Sequence, residues 1–147
     1  MTEHNTVFVD RRNSTEVAAG LATPILFWYD TDRKGRKRTN GVAVTMDGHL
    51  MVARAVCSKK DQFVKAGGRL RVTGRLLGNA QRHCWKLPIS GMNGSAANNV
   101  IPEMAARAYE EAFPGDTMGH KRAYNAGNVA SRYLDACDVV AKDILEN

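Results

Sequence analysis

The chain has 147 residues, 44% hydrophobic and 24% charged, a globular balance that excludes a disordered or low-complexity protein. At this length a chain buries about 68–70% of its unfolded surface, so one domain over residues 1–147 folds without disulfide or metal staples. The formal net charge of +6 is unevenly spread: −3 over residues 1–32, +10 over 33–75, +2 over 76–99 and −3 over 100–147, so the positive charge sits in one block between two acidic ends.

Ser14 to Leu21 reads as a short helix stopped before Pro24, and Ile25 to Tyr29, aromatic and branched, as a strand. A charge-rich turn follows over Asp30–Gly41. Val42–Met46 and His49–Val56 read as two strands joined at Asp47-Gly48, residue types favoured in a type I′ hairpin, where both central residues need a positive φ. Ser58 then has the character of a helix N-cap, with Asp61 reaching back to it, and predicts a helix over Lys59–Leu77 whose inner face is Phe63, Leu70 and Leu77. Gly67, Gly68 and Gly74 each cost that helix about 1 kcal/mol relative to alanine. They imply either close approach of another backbone or a ligand, or a break near 67–68.

Downstream, Trp85–Ile89 reads as a short edge strand limited by Pro88, and 90–99 as a small, polar loop. Pro102 suits the first turn of a helix that ends before Pro114-Gly115, with Met104, Ala105, Ala108, Tyr109 and Ala112 on its face. A final helix, about Ala126–Leu145, carries Ala126, Val129, Ala130, Tyr133, Cys137, Val140 and Ile144 at helical spacing. Core packing is the plain use of both faces, and their small residues would also suit a contact between subunits. The fold class expected is α+β: a small antiparallel sheet with a central hairpin, packed against about three helices, with a basic hairpin-helix segment at 33–77 and a helical part at 100–147.

The basic block has two parts. Arg33, Lys34, Arg36, Lys37 and Arg38 place five positive charges within six residues, too dense to bury, so this loop is exposed and is the candidate nucleic-acid contact. On the helix, Lys65 and Arg69 are four apart, as are Arg71 and Arg75, so each pair shares a stripe beside the glycines. Arginine forks match phosphate oxygens, glycine lets backbone N–H groups approach the same anion, and a helix N-terminus favours negative charge. Ser58, Lys60, Lys65, Arg69, Arg71 and Arg75 are therefore the candidate phosphate-binding residues. The plainer alternative is a solvated basic face, which helps solubility.

Other chemistries are thinly supported. His83-Cys84 lacks a paired ligand set, so no metal is expected. Cys57, beside Lys59 and Lys60, has no base supplied by any nearby motif. There is no Walker loop and no dinucleotide fingerprint, and no cofactor is expected. Asp135, Asp138 and Asp143 read as a solvated face. These absences point away from an enzyme. The odd cysteine count, with wide spacings, suits reduced thiols in a cytosol. No apolar run approaches the roughly 18 residues of a membrane span, and MTEHNTVFVDRRNS carries no secretory signal, so a cytoplasmic protein with no membrane partner is expected.

The run Val56–Arg69, followed by Gly74-Arg75-Leu76, contains Cys57-Ser58, Lys60-Asp61-Gln62-Phe63 and two Gly-Arg pairs six residues apart. In these features it resembles a hairpin-plus-helix segment of small bacteriophage accessory proteins, over residues 41–76, about a quarter of the chain. One such group is the anti-Thoeris family of phage sponge proteins, which sequester cyclic nucleotide alarm signals. The resemblance implies a phage-type, non-catalytic role in the host cytoplasm: an oligomeric counter-defence protein capturing a small phosphorylated signal. The alternatives are a DNA- or RNA-binding protein using the Arg33–Arg38 loop, and an inhibitor docking on an acidic host protein.

Overall fold

The computed structural model describes residues 9–78, 81–89 and 100–146, with side chains as far as Leu134. The order is α1 (Ser14–Ala18), β1 (Leu26–Thr31), β2 (Lys37–Val44), β3 (His49–Val56), α2 (Lys65–Leu77), β4 (Cys84–Pro88), α3 (Ile101–Ala112) and α4 (Thr117–Glu146). The strands form one antiparallel sheet in the order β1-β2-β3-β4, with β1 and β4 at its edges. The fold is α+β, an antiparallel sheet with a central hairpin packed against helices, as expected. The expected loop over 90–99 lies outside the described residues.

Side chains alternate across a strand, and both faces of this sheet are covered. From one face Leu21, Ile25, Ala43, Met51, Ala53 and Ala55 meet Val72 and Leu76 of α2. From the other, Trp28, Val42, Val44, Leu50 and Val52 meet Ile101, Ala105, Tyr109, Ala123, Ala126 and Ala130 of α3 and α4. Two-sided burial explains the continuous apolar runs Val42-Ala43-Val44 and Leu50–Ala53, where a one-sided sheet would alternate.

Several expectations change. Half of the charged turn is strand: Arg38 pairs with Val56 and Asp30, and the turn itself is confined to 32–36. The β2–β3 connection is not type I′. Gly48 has φ +88°, Asp47 does not have a positive φ, and Gly48 N–H donates to Thr45 O, which is a type I turn closed by a glycine bulge.

Helix α2 begins at Lys65 and not at Lys59. Ser58 and Asp61 form a turn instead of a cap, with Asp61 N–H donating to Ser58 O and Lys60 N–H to Ser58 Oγ. Such local bonds compete with helix formation. The helix runs unbroken through Gly67-Gly68. Its inner face is Val72 and Leu76, while Leu70 is 75% exposed, Phe63 precedes the helix and Leu77 is half-buried. Gly68 sets this rotation: a Cβ there would overlap the Thr39 side chain, so glycine lets the helix lie against β2. Gly67 and Gly74 meet nothing.

The α3 face is Ile101, Pro102, Ala105, Ala106 and Tyr109, with Ala112 exposed. Helix α4 starts at Thr117, nine residues before the expected Ala126. Its small residues close the α3–α4 packing within the chain: Gly127 lies against Pro102 and Gly119 against Tyr109. The predicted Cys137, Val140 and Ile144 lie outside the described side chains.

Candidate functional site

The two basic segments meet at one end of the sheet. In the β1–β2 turn, Asp32 Oδ1 accepts the N–H groups of Lys34 (3.0 Å) and Arg36 (2.8 Å), and its Oδ2 accepts Arg36 Nε at 2.8 Å. The Arg36 backbone bond, foremost, holds the Asp32 carboxyl below its ordinary pKa. Arg38 grips Asp30 bidentately at 2.7 and 2.6 Å, and Asn40 Nδ2 adds a bond at 3.1 Å. Burial works against the Asp30 anion, but the Arg38 and Asn40 bonds outweigh it and its pKa is lowered. Arg36 and Arg38 are thus tied to acids. Arg33, Lys34 and Lys37 are exposed and, among the described residues, in no salt bridge.

Cys57 N–H donates to Lys37 O at 2.8 Å and extends the ladder past β3, which brings the Ser58–Asp61 turn beside the β1–β2 turn. The Lys59 side chain reaches Gly35, lying 3.4 Å from where a Cβ would stand. Next in line is Tyr29. Phe63 meets its ring edge-on at 6.1 Å, Lys65 Nζ sits 4.8 Å over it, and Arg69 donates to its hydroxyl at 2.9 Å. Phe63 therefore packs on Tyr29 and not on the inner face of the helix.

Between α2, the Ser58–Asp61 turn and the ends of β2 and β3 lies an open cleft of about 220 Å³, whose lining includes Thr39, Asp61, Phe63, Gly67, Gly68 and Arg71. Of the predicted phosphate-binding residues, Arg71 lines this cleft and Lys65 and Arg69 lie one helix face away, on Tyr29. Ser58 and Lys60 are exposed on the adjoining turn. Arg75 is a correction: its guanidinium turns inward and donates to the carbonyl of Arg54, one helical turn past Arg71, and it does not line the cleft. The pattern of cations missed Thr39, an uncharged strand residue, and Lys59, which only the folded hairpin brings to Gly35.

A second polar cluster lies on the opposite face. Arg54 donates to the Tyr109 hydroxyl (2.9 Å) and to Asp116 (3.1 Å), and Tyr109 donates to the same Asp116 oxygen at 2.5 Å. Arg54 also sits 4.2 Å over the Phe113 ring. Burial first, then the bond to Asp116, pushes the Tyr109 hydroxyl well above its ordinary pKa. Arg54 Nη2, the Tyr109 hydroxyl and Asp116 thus bond one another, while Arg54 Nε has no partner among the described residues.

Cys57 and Cys84 are free thiols, and burial raises the pKa of Cys84. Among the described residues no group of three or more His, Cys, Asp or Glu side chains is placed to hold a metal ion, and no helix is long and apolar enough to cross a membrane. The chain matches no protein-family model, no curated protein and no solved structure.

Proposed function

We propose that this chain binds a phosphate-bearing ligand at the basic end of its sheet and holds it without converting it. The observation that carries this reading is the convergence of unpaired charge. Arg71 lines one small cleft, Lys59 and Lys60 are exposed on the turn that adjoins it, and Arg33, Lys34 and Lys37 are exposed at the neighbouring β1–β2 turn, although up to 38 positions separate them in sequence. Like charges gathered this way repel one another, and an anion relieves that repulsion. The ligand favoured is a small nucleotide. The cleft lining combines Ala55, Val56, Phe63 and Val64 with the polar Gln62 and the charged Asp61 and Arg71, which suits a ligand with one charged and one less polar part. The likeness of residues 41–76 to phage accessory proteins, the anti-Thoeris sponges among them, supports a counter-defence role in which an oligomer sequesters a nucleotide signal in the host cytoplasm.

Native mass spectrometry of the protein as purified tests this. A retained mass of a few hundred to a thousand daltons is expected, and bare protein that takes up no added cyclic nucleotide or ADP-ribose derivative rejects it. One observation favours nucleic acid as a second reading: the exposed Arg33, Lys34 and Lys37 continue the basic surface beyond the cleft. Protein that carries heterogeneous nucleic acid, released by salt, would establish that reading instead.

A further inference from the structure

We infer that the open edge of β1 is a docking site for an extended, acidic segment of a partner protein, which adds there as a further strand of the sheet. The inference goes beyond the phosphate-ligand reading and does not rest on it, because β1, Lys65 and Arg69 do not line the cleft.

The two edges of the sheet are built differently. Asp32 N–H donates to Arg36 O, and bonded pairs recur at every second residue of an antiparallel ladder. Leu26, Trp28 and Asp30 therefore spend their backbone groups on Val42, Asn40 and Arg38, and the N–H and C=O groups of Phe27, Tyr29 and Thr31 point outward from the edge. Among the described residues no hydrogen bond reaches these outward groups. At the opposite edge Ile89 N–H donates to Gly48 O, so the outward positions of β4 are Cys84, Lys86 and Pro88. A lysine, and a proline with no N–H to give, blunt an edge against further pairing. β1 has neither: its register runs through six pairs without a bulge, and its residues include Phe27, Trp28, Tyr29 and Thr31, all strand formers.

The charge beside the edge sets what it accepts. Helix α2 lies chiefly over β2 and β3 and leaves Tyr29 half-buried. Lys65 Nζ stands 4.8 Å over the Tyr29 ring and Arg69 donates to the Tyr29 hydroxyl. Both cations are exposed and, among the described residues, in no salt bridge. A strand added beyond β1 lies about 4.8 Å from it, so every second side chain rises beside Tyr29, Lys65 and Arg69. Carboxylates at those alternate positions complement the two cations. A second copy does not. Antiparallel joining of two β1 edges keeps both α2 helices on one face and gathers the Lys65 and Arg69 of both copies along one seam, where like charges repel.

The test selects displayed random peptides on the full chain and follows the best binder by amide hydrogen exchange. In the chain alone, the amides of Phe27, Tyr29 and Thr31 should exchange faster than those of Leu26, Trp28 and Asp30. The selection should enrich peptides with Asp or Glu at alternate positions, and the bound peptide should protect the three outward amides. N-methylating the alternate set of peptide amides that faces β1 should weaken binding about tenfold or more, the scale of lost hydrogen bonds, and methylating the other set should leave it intact. Lys65→Glu combined with Arg69→Glu, two exposed positions, should turn the selection from acidic to basic peptides. Enrichment of no peptide, of peptides without acidic alternation, or of a binder that leaves the three amides unprotected overturns the inference. So does concentration-dependent protection of those amides in the chain alone, which assigns the edge to a second copy.

Discussion

The two faces of the sheet treat positive charge in opposite ways. Beneath α3 and α4, the Arg54 side chain is 13% exposed and held by Asp116, Tyr109 and the Phe113 ring. On the α2 side and at the adjoining turns, Arg33, Lys34, Lys37, Lys59 and Arg71 are exposed and, among the described residues, in no salt bridge. A charge out of water must be neutralised within the protein, so the Arg54 cluster is part of the fold. Charge left in water without partners adds little stability and is free to meet a ligand. The difference teaches where to look: cations buried against acids belong to the scaffold, and cations left exposed and unpaired mark the candidate site.

The sharpest way to break that contrast is to remove Asp116. Asp116→Ala strands the Arg54 guanidinium and also removes the Gly119 N–H acceptor at the start of α4, so a loss of about 3 kcal/mol is expected in urea unfolding. Binding by the folded protein should persist. A loss below about 1 kcal/mol would show that the cluster is not structural in this sense.

On the α2 side the expected effects are smaller and of two signs. Gly68→Ala places a Cβ into the Thr39 side chain and should cost about 2 kcal/mol. Gly67→Ala meets open space and should gain about 0.5–1 kcal/mol from helix propensity alone. Thermal melts of the pair test whether α2 is docked on β2 as described; equal shifts would contradict it.

Acid should unpick the Asp30–Arg38 bridge. The Asp30 pKa is lowered in the folded state from the ordinary 3.8, so its stabilisation is complete above that value and is lost as the pH falls through the lower, folded one. Asp30→Asn should flatten stability against pH below about 4, a difference readable in acid melts. The smallest effect on stability is expected from replacing Arg33, Lys34 and Lys37 together with glutamine, within about 0.5 kcal/mol, because these side chains touch no acid. In gel shifts the same variant sharpens the choice of ligand. If nucleic acid is bound through these residues, the slope of log affinity on log salt should fall by about 2–3; an unchanged slope would confine binding to the cleft.

Local chemistry carried much of the architecture. Branched and aromatic runs gave β1 and β3, Pro102 marked the start of α3, and Asp47-Gly48 announced a turn even though its geometry differs from the one its residue types favour. The start and rotation of α2 were not legible. A seven-residue spacing of Phe63, Leu70 and Leu77 resembles a buried stripe, yet the helix is oriented by what it rests on, and Gly68 against Thr39 turns Leu70 to solvent. The site was partly legible for the same reason. Charge density alone singled out Lys65, Arg69 and Arg71, but nothing along the chain separated them from Arg75, which folds inward onto the Arg54 carbonyl.

The sequence by itself determined the segregation of charge, the order of strands and helices along the chain and the exposure of a basic turn, because composition and periodicity are local properties. Tertiary structure decided which cations are spent on Asp30 and Asp32, which are left free, and that a threonine 26 residues before Lys65 stands beside the start of α2. Those outcomes depend on the register of β2 against β3 and on the closeness of α2 to the sheet, distances that no local pattern specifies.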